Sequence, residues 1–299
     1  MINRSALKYY LKKILPRPLF RAILFIWQKA LLHIVEGIDA LRLTRFATYR
    51  KVELHHKGKT FSLFISPTNG FIDKYIYLYG IYEPFMLDLF TKHLKSGMTY
   101  IDIGANIGQH SMYVASLVGE KGAVYSFEPI PFIYNQLQDS VRANHFEDIV
   151  HAKNIALGKH ESSEILYISR KNVGSSSLVT HEDESEIIIV VVKKGNEELA
   201  HIPSINVIKI DVEGYEYEVL AGIKETLLKH SPTIFLEFSG EIYNSQNKNH
   251  GAKILSLLRE CKYTLYDIEN DMKEIQNDKE YLLRFPHALK QTNLLCIIK

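Results

Sequence analysis

Acidic side chains stand at the ends of two apolar runs, where strand-like segments finish. Asp211 and Glu213 follow the run at 206–210, and Glu237 lies within the run at 233–238. Two carboxylates held close together push the pKa of one of them upward, which suits a general base that takes a proton from a hydroxyl group. We therefore predict Asp211, Glu213 and Glu237 as catalytic residues, with Glu237 also suited to grip an acceptor hydroxyl.

Simpler structural roles stay open for these residues. Asp211 could accept a hydrogen bond from a backbone amide, and Glu213 could start the helix that follows Gly214. Glu216 and Glu218 come next along the chain and are expected to be solvated.

A second candidate site is the glycine turn of the segment "YIDIGANIG", which follows another apolar run. Gly104 allows the backbone to approach a ligand closely, and Gly108 permits tight packing of helix on strand. The spacing is Gly-x-x-x-Gly, and Asn106 stands where a dinucleotide loop would have its second glycine. Asp102 would repel a pyrophosphate, but its carboxylate suits a ligand that carries an ammonium group.

Glu128 supports a nucleoside ligand at the same site. It ends the run "AVYSFEP", 20 residues beyond Gly108. A carboxylate in this place can accept hydrogen bonds from both hydroxyls of a ribose. The alternative is a carboxylate that interacts with a helix dipole before Pro129. An ammonium partner for Asp102 and a ribose partner for Glu128 together favour S-adenosylmethionine as the cofactor over NAD.

The elements that must position these residues alternate between strands and helices. Such alternation predicts a parallel sheet covered by helices on both faces, and two final strands without a long helix between them predict an antiparallel hairpin at the sheet edge. Helices are predicted near 82–94, 111–118, 133–141, 219–227 and 251–260. Strands are predicted at 52–56 and 61–65 (a hairpin), 99–103, 123–127, 149–156, 164–169, 186–192, 206–210, 233–238, 263–268 and 293–298.

The segments "YIDIGANIGQHSMYVASLVGEKGAVYSFEP", "IALG", "INVIKIDVEGYEYEVLAGI" and "TIFLEF" resemble the FkbM family of S-adenosylmethionine-dependent methyltransferases. The resemblance covers about residues 82–238. It implies an α/β fold with a Rossmann-like seven-stranded class I methyltransferase sheet and an antiparallel C-terminal strand hairpin. It also implies O-methylation of a sugar, glycan or natural-product acceptor. An NAD-dependent oxidoreductase and a non-catalytic membrane-associated protein that keeps the fold are the alternatives.

The resemblance also implies the roles of the cofactor residues. The turn with Asp102, Gly104, Ala105, Asn106 and Gly108 would line the methionine end of S-adenosylmethionine. Glu128 would hold the ribose, and the segment 154–156, which ends at Ala156, would border the adenine. Glu83, with the preceding tyrosine, is expected to close the methionine pocket from the upstream helix.

The charge distribution divides the chain of 299 residues. Residues 1–50 hold ten Lys and Arg against two acidic residues, a net charge of +8, so the total of +2 leaves −6 for the rest. We predict a basic amphipathic helical arm at 1–45 and a methyltransferase domain at 46–299, with an upstream hairpin and helix at 46–96 and a core at 97–299. The arm is suited to pack on the domain or on a second subunit, or to lie in a membrane interface.

The remaining composition limits the other partners. Cys261 and Cys296 lie in apolar runs and are expected to be reduced core residues of a cytoplasmic protein, peripheral at the inner face of a membrane if the arm binds lipid. Charged residues interrupt the apolar stretch near the N-terminus well before the roughly 20 residues that a membrane span needs. The histidines show no metal-ligand spacing, so no metal is predicted, and no nucleic-acid partner is expected.

Overall fold

The computed structural model of the chain describes residues 49–67, 70–169, 185–239, 249–285 and 291–299. The predicted arm at 1–45 lies outside these residues. No helix in the described ranges combines the length and apolar character that crossing a membrane would need.

Strands and helices alternate through most of the described chain. The helices are α1 (Phe71–Tyr79), α2 (Pro84–His93), α3 (Gln109–Val118), α4 (Pro131–Ala143), α5 (Gly195–Leu199), α6 (Glu216–Gly222), α7 (Lys224–His230), α8 (His250–Glu260) and α9 (Asp278–Leu282). The strands are β1 (Arg50–His56), β2 (Lys59–Ile65), β3 (Thr99–Ile103), β4 (Ala123–Phe127), β5 (Val150–Lys153), β6 (Ala156–Gly158), β7 (Ser162–Ser169), β8 (Ser185–Lys194), β9 (Val207–Ile210), β10 (Thr233–Ser239), β11 (Thr264–Asp267), β12 (Lys273–Glu274) and β13 (Gln291–Ile297).

The main sheet has the order β5–β4–β3–β9–β10–β13–β11–β12. The pairs β4–β5, β3–β4, β3–β9 and β9–β10 are parallel, whereas β13 is antiparallel to both β10 and β11. The first five strands thus follow the 3-2-1-4-5 order of doubly wound nucleotide-binding sheets. This confirms the predicted fold class, with the two-residue β12 added beyond the seven expected strands.

The predicted antiparallel C-terminal hairpin is present at one end of the sheet. β13 pairs with β11 and lies between β10 and β11. Its run Leu294-Leu295-Cys296 is completely buried. A continuous apolar run needs cover on both faces of the sheet, which an interior strand receives and an edge strand receives only in part.

Two apolar layers enclose the sheet. On one face, α2, α3, α4 and the β1–β2 hairpin pack over strand residues such as Tyr100, Val124 and Phe235. On the other face, α6, α7 and α8 pack over residues such as Ile101 and Ile208. Consecutive residues of one strand therefore face opposite layers, and Asp102 points to the same side as Tyr100.

Three local features refine the sequence-based description. The predicted hairpin is present, and its turn residues Lys57 and Gly58 both have positive φ, as a two-residue hairpin turn with the right twist requires. The single helix predicted after β9 is two helices that meet at Ile223. The insertion after β5 forms a separate three-stranded sheet, β6–β8–β7.

Candidate functional site

The site forms where the strand order reverses. The chain leaves β3 for β4 on one side, and β9 lies on the other side of β3, so the loops after β3 and β9 meet at the carboxyl edge. A Cβ on Gly104 would overlap the carbonyl oxygen of Asp211 and lie 2.9 Å from its carbonyl carbon. Gly104 must therefore lack a side chain because two loops of the protein are in close contact at this position.

The glycine turn is held from below by β4. The backbone N–H groups of Gly104 and Ala105 both donate to the carbonyl oxygen of Phe127, at 3.0 Å. Gly108 precedes the first residue of α3, and a Cβ there would lie 3.0 Å from Leu137 Cγ on α4. Its predicted role in tight packing thus has a specific partner, which is the neighbouring helix α4.

Glu128 ties the turn to the start of α4. Its Oε2 accepts a hydrogen bond from the N–H of Asn106 at 2.9 Å, and its Oε1 accepts one from the N–H of Ile130 at 2.9 Å. Asn106 itself has a left-handed backbone, with φ of 51°. Burial raises the pKa of Glu128 to about 7. Each carboxylate oxygen keeps a lone pair after these bonds, so both remain able to accept from a ribose hydroxyl.

Ala156 belongs to a segment that contacts the backbone of Glu128 through Asn154. It is half-buried at the start of β6, in the segment that begins with Asn154. The Nδ2 group of Asn154 donates to the backbone carbonyl of Glu128 at 2.8 Å. The residues predicted to border the ribose and the adenine therefore lie at one end of the carboxyl edge.

Asp102 belongs to a buried polar row that crosses three strands. Ser126, Asp102 and Lys209 are register neighbours on β4, β3 and β9. Ser111 of α3 donates to Asp102 Oδ2 at 2.6 Å and lies 2.8 Å from Ser126 Oγ. The Nζ atom of Lys209 lies 3.7 Å from Asp102 Oδ1, and Asp102 has no exposed surface.

This placement of Asp102 differs from the sequence-based expectation. The ammonium group that its carboxylate faces is the side chain of Lys209. Burial raises the pKa of Asp102, while Lys209 and the Ser111 hydroxyl oppose that effect. The same Lys209 ammonium lies 3.4 Å from the carbonyl oxygen of Gly104. Asp102 thus acts on the glycine turn through Lys209, and a direct cofactor contact would require this row to open.

The predicted catalytic carboxylates form one cluster at the ends of β9 and β10. Oxygen atoms of Asp211, Glu213 and Glu237 all lie within 4.8 Å of one another. The register explains this, since Ile210 pairs with Leu236 and each is followed directly by an acidic residue. Asp211 Oδ2 lies 3.0 Å from Lys209 Nζ. Glu237 Oε2 is buried and has no hydrogen-bond partner among the described residues.

The three carboxyl groups differ in their electrostatic surroundings. Burial alone would raise the pKa of Asp211, but the adjacent Lys209 ammonium outweighs it and the pKa is lowered. Burial, followed by the charge of Asp211, raises the pKa of Glu213 to about 8. The same two causes raise the pKa of Glu237 well above its ordinary value. Asp211 is therefore held as an anion, whereas Glu213 and Glu237 have a raised affinity for a proton.

Glu83 approaches this cluster from the upstream segment. Burial and then the charge of Asp211 raise the pKa of Glu83 to about 7. The preceding residue, Tyr82, is clamped to the first residue of α3, because its N–H donates to Gln109 Oε1 and its carbonyl accepts from Gln109 Nε2, both at 2.8 Å. Glu83 precedes Pro84 as the helix N-cap but makes no side-chain capping bond. Glu83 therefore lies near enough to the cluster for the charge of Asp211 to act on it.

The acidic cluster also bears on metal binding. Carboxylate oxygens are the ligands that hard cations such as Mg²⁺ and Ca²⁺ take. Within the described ranges, one acidic group has oxygens close enough together to share an ion, and its members are Asp211, Glu213 and Glu237. The spacing of residues in the sequence does not reveal this group, because Glu237 lies on a different strand from the one that Asp211 and Glu213 follow.

Several residues that shape the site escape sequence reasoning. Ser111 and Gln109 lie on α3 and have no recognisable pattern with their partners Asp102 and Tyr82. Glu216 is only 1% exposed, so the prediction that it is solvated is wrong. Glu216 begins α6, and its side chain lies 3.0 Å from the buried His250.

Known proteins resemble this chain in the same region. Residues 102–265 match the sequence profile of the "Methyltransferase FkbM domain". The hexuronic acid methyltransferase AglP of Haloferax volcanii is 31% identical over 129 residues, which are 42% of this chain and 50% of that protein. Methyltransferase 1 of Beauveria bassiana is 25% identical over 192 residues, 55% of this chain and 73% of that protein.

Among solved structures, a methyltransferase FkbM from Methylobacillus flagellatus KT is similar over 68% of this chain and 44% of that one, with 16% identity and a TM-score of 0.43. The chain spans half the length of the Haloferax relative. The profile match starts at Asp102 of the glycine turn, includes the acidic residues at the ends of β9 and β10, and covers more than half of the sequence. The chain therefore belongs to the FkbM family of S-adenosylmethionine-dependent methyltransferases.

Proposed function

We propose that this methyltransferase transfers the methyl group of S-adenosylmethionine to a hydroxyl oxygen of a sugar, glycan or natural-product acceptor. The observation that carries the proposal is the carboxylate cluster of Asp211, Glu213 and Glu237 at the carboxyl edge. A hydroxyl group must lose its proton when its oxygen is methylated, and the raised pKa values of Glu213 and Glu237 suit them to accept that proton. Membership of the FkbM family leaves the NAD-dependent oxidoreductase alternative without support.

The residues at the carboxyl edge fit S-adenosylmethionine. Glu128 offers two carboxylate oxygens to the ribose hydroxyls, and Ala156 borders the adenine. The turn with Gly104, Ala105, Asn106 and Gly108 lines the methionine end, with Glu83 on the opposite rim. Asp102 supports this turn from below through Lys209. The buried oxygen of Glu237, which has no hydrogen-bond partner in the described part of the chain, suits the positive charge of a sulfonium.

When bound, the cofactor supplies a methyl carbon activated by the sulfonium. The acceptor oxygen would bond to that carbon, and the electron pair of the broken carbon–sulfur bond would stay on sulfur. The hydroxyl proton goes to Glu213 or Glu237, because Lys209 holds Asp211 as an anion with little affinity for a proton. Much of the rate follows from holding the two reactants in line.

The relatives guide the choice of acceptors. The name of the Haloferax relative states a hexuronic acid substrate, so the first panel contains hexuronic acid glycosides beside neutral glycosides and polyhydroxylated natural products. Transfer of radioactive methyl from S-adenosylmethionine is measured for each compound. A panel in which amines or thiols are methylated and no hydroxyl compound is would overturn the proposal.

Variants then test the residues. For an accepted hydroxyl compound we expect Asp211→Asn, Glu213→Gln and Glu237→Gln each to lower kcat by about 10²-fold or more, as loss of a general base or its support does. Glu225→Gln, on the exposed surface of α7, is the matched control. Binding of S-adenosylhomocysteine, measured by calorimetry, separates a damaged cofactor site from damaged chemistry. Unchanged kcat in all three variants would remove these residues from the chemistry.

We further propose that the chain divides into an arm at 1–45 and a domain at 46–299, and that the basic arm contacts an anionic membrane surface from the cytoplasmic side. The net charge of +8 over residues 1–50 supports this. The full chain is mixed with vesicles of anionic or neutral lipid, and Lys12→Glu with Lys13→Glu is the test variant. Equal sedimentation of wild type and variant with anionic vesicles would contradict the proposal. We expect no nucleic-acid partner, so fluorescently labelled RNA should show no change in anisotropy.

A further inference from the structure

Glu216 is a buried acidic residue that the chemistry above does not use. It is the first residue of α6, and its side chain is 2% exposed. Its Oε1 accepts a hydrogen bond from the N–H of Gly214 at 2.8 Å, and its Oε2 lies 3.0 Å from Nε2 of His250. A carboxylate can only accept, so the Nε2 atom of His250 carries the hydrogen.

The bond to Gly214 holds a turn with an uncommon backbone. Glu213 and Gly214 have φ values of 48° and 97°, so two consecutive residues are left-handed. This conformation is unfavourable for a residue with a side chain such as Glu213, and such residues persist only where their surroundings fix them. The N–H of Gly214 is fixed by Glu216, and the turn brings the carboxylate of Glu213 close to those of Asp211 and Glu237.

The bond to His250 extends this support to the next helix. His250 is the first residue of α8, and its side chain is also 2% exposed. The following turns of α8 bury Ile254 and Leu258 in the layer that covers β10. Glu216 thus links the turn after β9 to the helix that packs on the strand carrying Glu237.

We propose that Glu216 is a positioning residue that holds the Glu213 carboxylate at the distance from Asp211 and Glu237 that the reaction needs. It contacts neither cofactor nor acceptor, and it acts through the backbone of Gly214. The inference rests on the proposed function, in which this cluster faces the sulfonium. Its specific consequence is that Glu216 controls how strongly the site prefers a cationic ligand over a neutral one of the same shape.

The test compares two cofactor analogues and needs no acceptor. Sinefungin carries an ammonium group near the place of the sulfonium, whereas S-adenosylhomocysteine carries a neutral thioether. Both share the adenosine and amino-acid parts, so the ratio of their Kd values reports the charge around that position and largely cancels general damage to the site. Calorimetry on the full chain at pH 8 gives both constants.

We expect wild type to bind sinefungin about tenfold more tightly than S-adenosylhomocysteine, because at the effective dielectric constant of about 20 near a protein surface a carboxylate about 4 Å from a cation stabilises it by more than that factor. Glu216→Ala should abolish most of this preference. Glu216→Gln keeps an oxygen that accepts from Gly214 and should stay within about threefold of wild type. Glu225→Gln, an exposed residue of α7, is the control for a lost charge.

The outcomes separate the hypotheses. A wild-type preference that survives in a folded Glu216→Ala variant overturns the positioning role and leaves the proposed function intact. Loss of the preference in Glu216→Gln as well as in Glu216→Ala also overturns it, since the charge of Glu216 would then act directly. If the alanine variant does not fold, Glu216→Asp keeps the charge but shortens the side chain, and it must lose the preference for the inference to hold. Absence of any preference in wild type contradicts both the inference and the placement of the sulfonium beside the cluster.

Discussion

The contact between Gly104 and Asp211 gives a prediction that depends on backbone geometry alone. In Gly104→Ala, the new Cβ overlaps the carbonyl oxygen of Asp211 and lies 3.2 Å from Val212 Cγ1. Its φ of +79° is also left-handed, which disfavours any residue with a Cβ. Gly97→Ala is the matched control, because Gly97 has φ of +83° at the other end of β3 and its Cβ would meet no atom closer than 3.8 Å.

The expected magnitude follows from two contributions. A left-handed backbone costs a residue with a side chain about 1–2 kcal/mol, and this applies to both variants. Overpacking against a backbone atom that cannot move aside costs about 1–3 kcal/mol more, and this applies to Gly104→Ala only. The free energy of unfolding should therefore fall by about 2–5 kcal/mol in Gly104→Ala and by about 1–2 kcal/mol in Gly97→Ala. Domains are stable by about 5–15 kcal/mol, so both variants should still fold.

Urea unfolding followed by far-UV circular dichroism measures the difference. The midpoint should be lower in Gly104→Ala than in Gly97→Ala, with similar slopes, because the surface exposed on unfolding is unchanged. Binding of S-adenosylhomocysteine adds a second measurement: Gly104→Ala should weaken it, since relief of the overlap displaces either the glycine turn or the loop of Asp211, whereas Gly97→Ala should not. Equal midpoints and equal affinities for the two variants would refute the argument that the loops require close contact at Gly104.

Three further predictions address other buried groups. Burial raises the pKa of Asp73 to about 6 from 3.8, so the folded protein favours the neutral form of this carboxyl. The free energy of unfolding of wild type should therefore fall by about 3 kcal/mol as the pH rises from about 4 to about 6. Asp73→Asn should remove this part of the pH dependence of the urea midpoint. Glu128→Gln replaces one of the two oxygens that accept from backbone N–H groups by an amide NH₂. The lost hydrogen bonding costs about 1–3 kcal/mol of binding free energy, so S-adenosylhomocysteine should bind about tenfold or more weakly in calorimetry. Unchanged affinity would argue against Glu128 as the ribose partner. Cys261 and Cys296 are free and buried, so a thiol reagent should label neither in the native protein and both after unfolding; fast labelling of the native protein would show that one of them is accessible.

The sequence predicts the fold well where its pattern is local. The alternation of strands and helices, the positive-φ hairpin turn and the buried cysteines each depend on a few neighbouring residues, and each agrees with the structure. The order of the strands depends on contacts between residues that are far apart in the sequence. The position of β13 between β10 and β11 depends on pairing over more than 20 residues of intervening chain, and its continuous apolar run is the only feature of the sequence that favours an interior position.

The candidate site shows the same limit at the level of side chains. The sequence places Asp102, Asp211, Glu213 and Glu237 at strand ends, and it gives their common edge. It does not give the register between strands, and the register is what pairs Asp102 with Lys209. The role of Asp102 beside the cofactor ammonium stays a prediction, and the register adds that a lysine two residues before Asp211 already faces its carboxylate.

The buried lysine explains how so many acidic groups share one edge of the sheet. Asp102 and Asp211 lie on either side of Lys209, and both carboxylates raise the pKa of this lysine despite its burial. Burial and the charge of Asp211 raise the pKa values of Glu213 and Glu237, which favours their neutral forms. A positively charged ligand at this edge would favour the ionised forms of Glu213 and Glu237. Transfer of its methyl group would leave that ligand neutral, while the acceptor hydroxyl releases a proton. The cluster thus couples the charge of the methyl donor to the proton affinity of the groups that receive the hydroxyl proton.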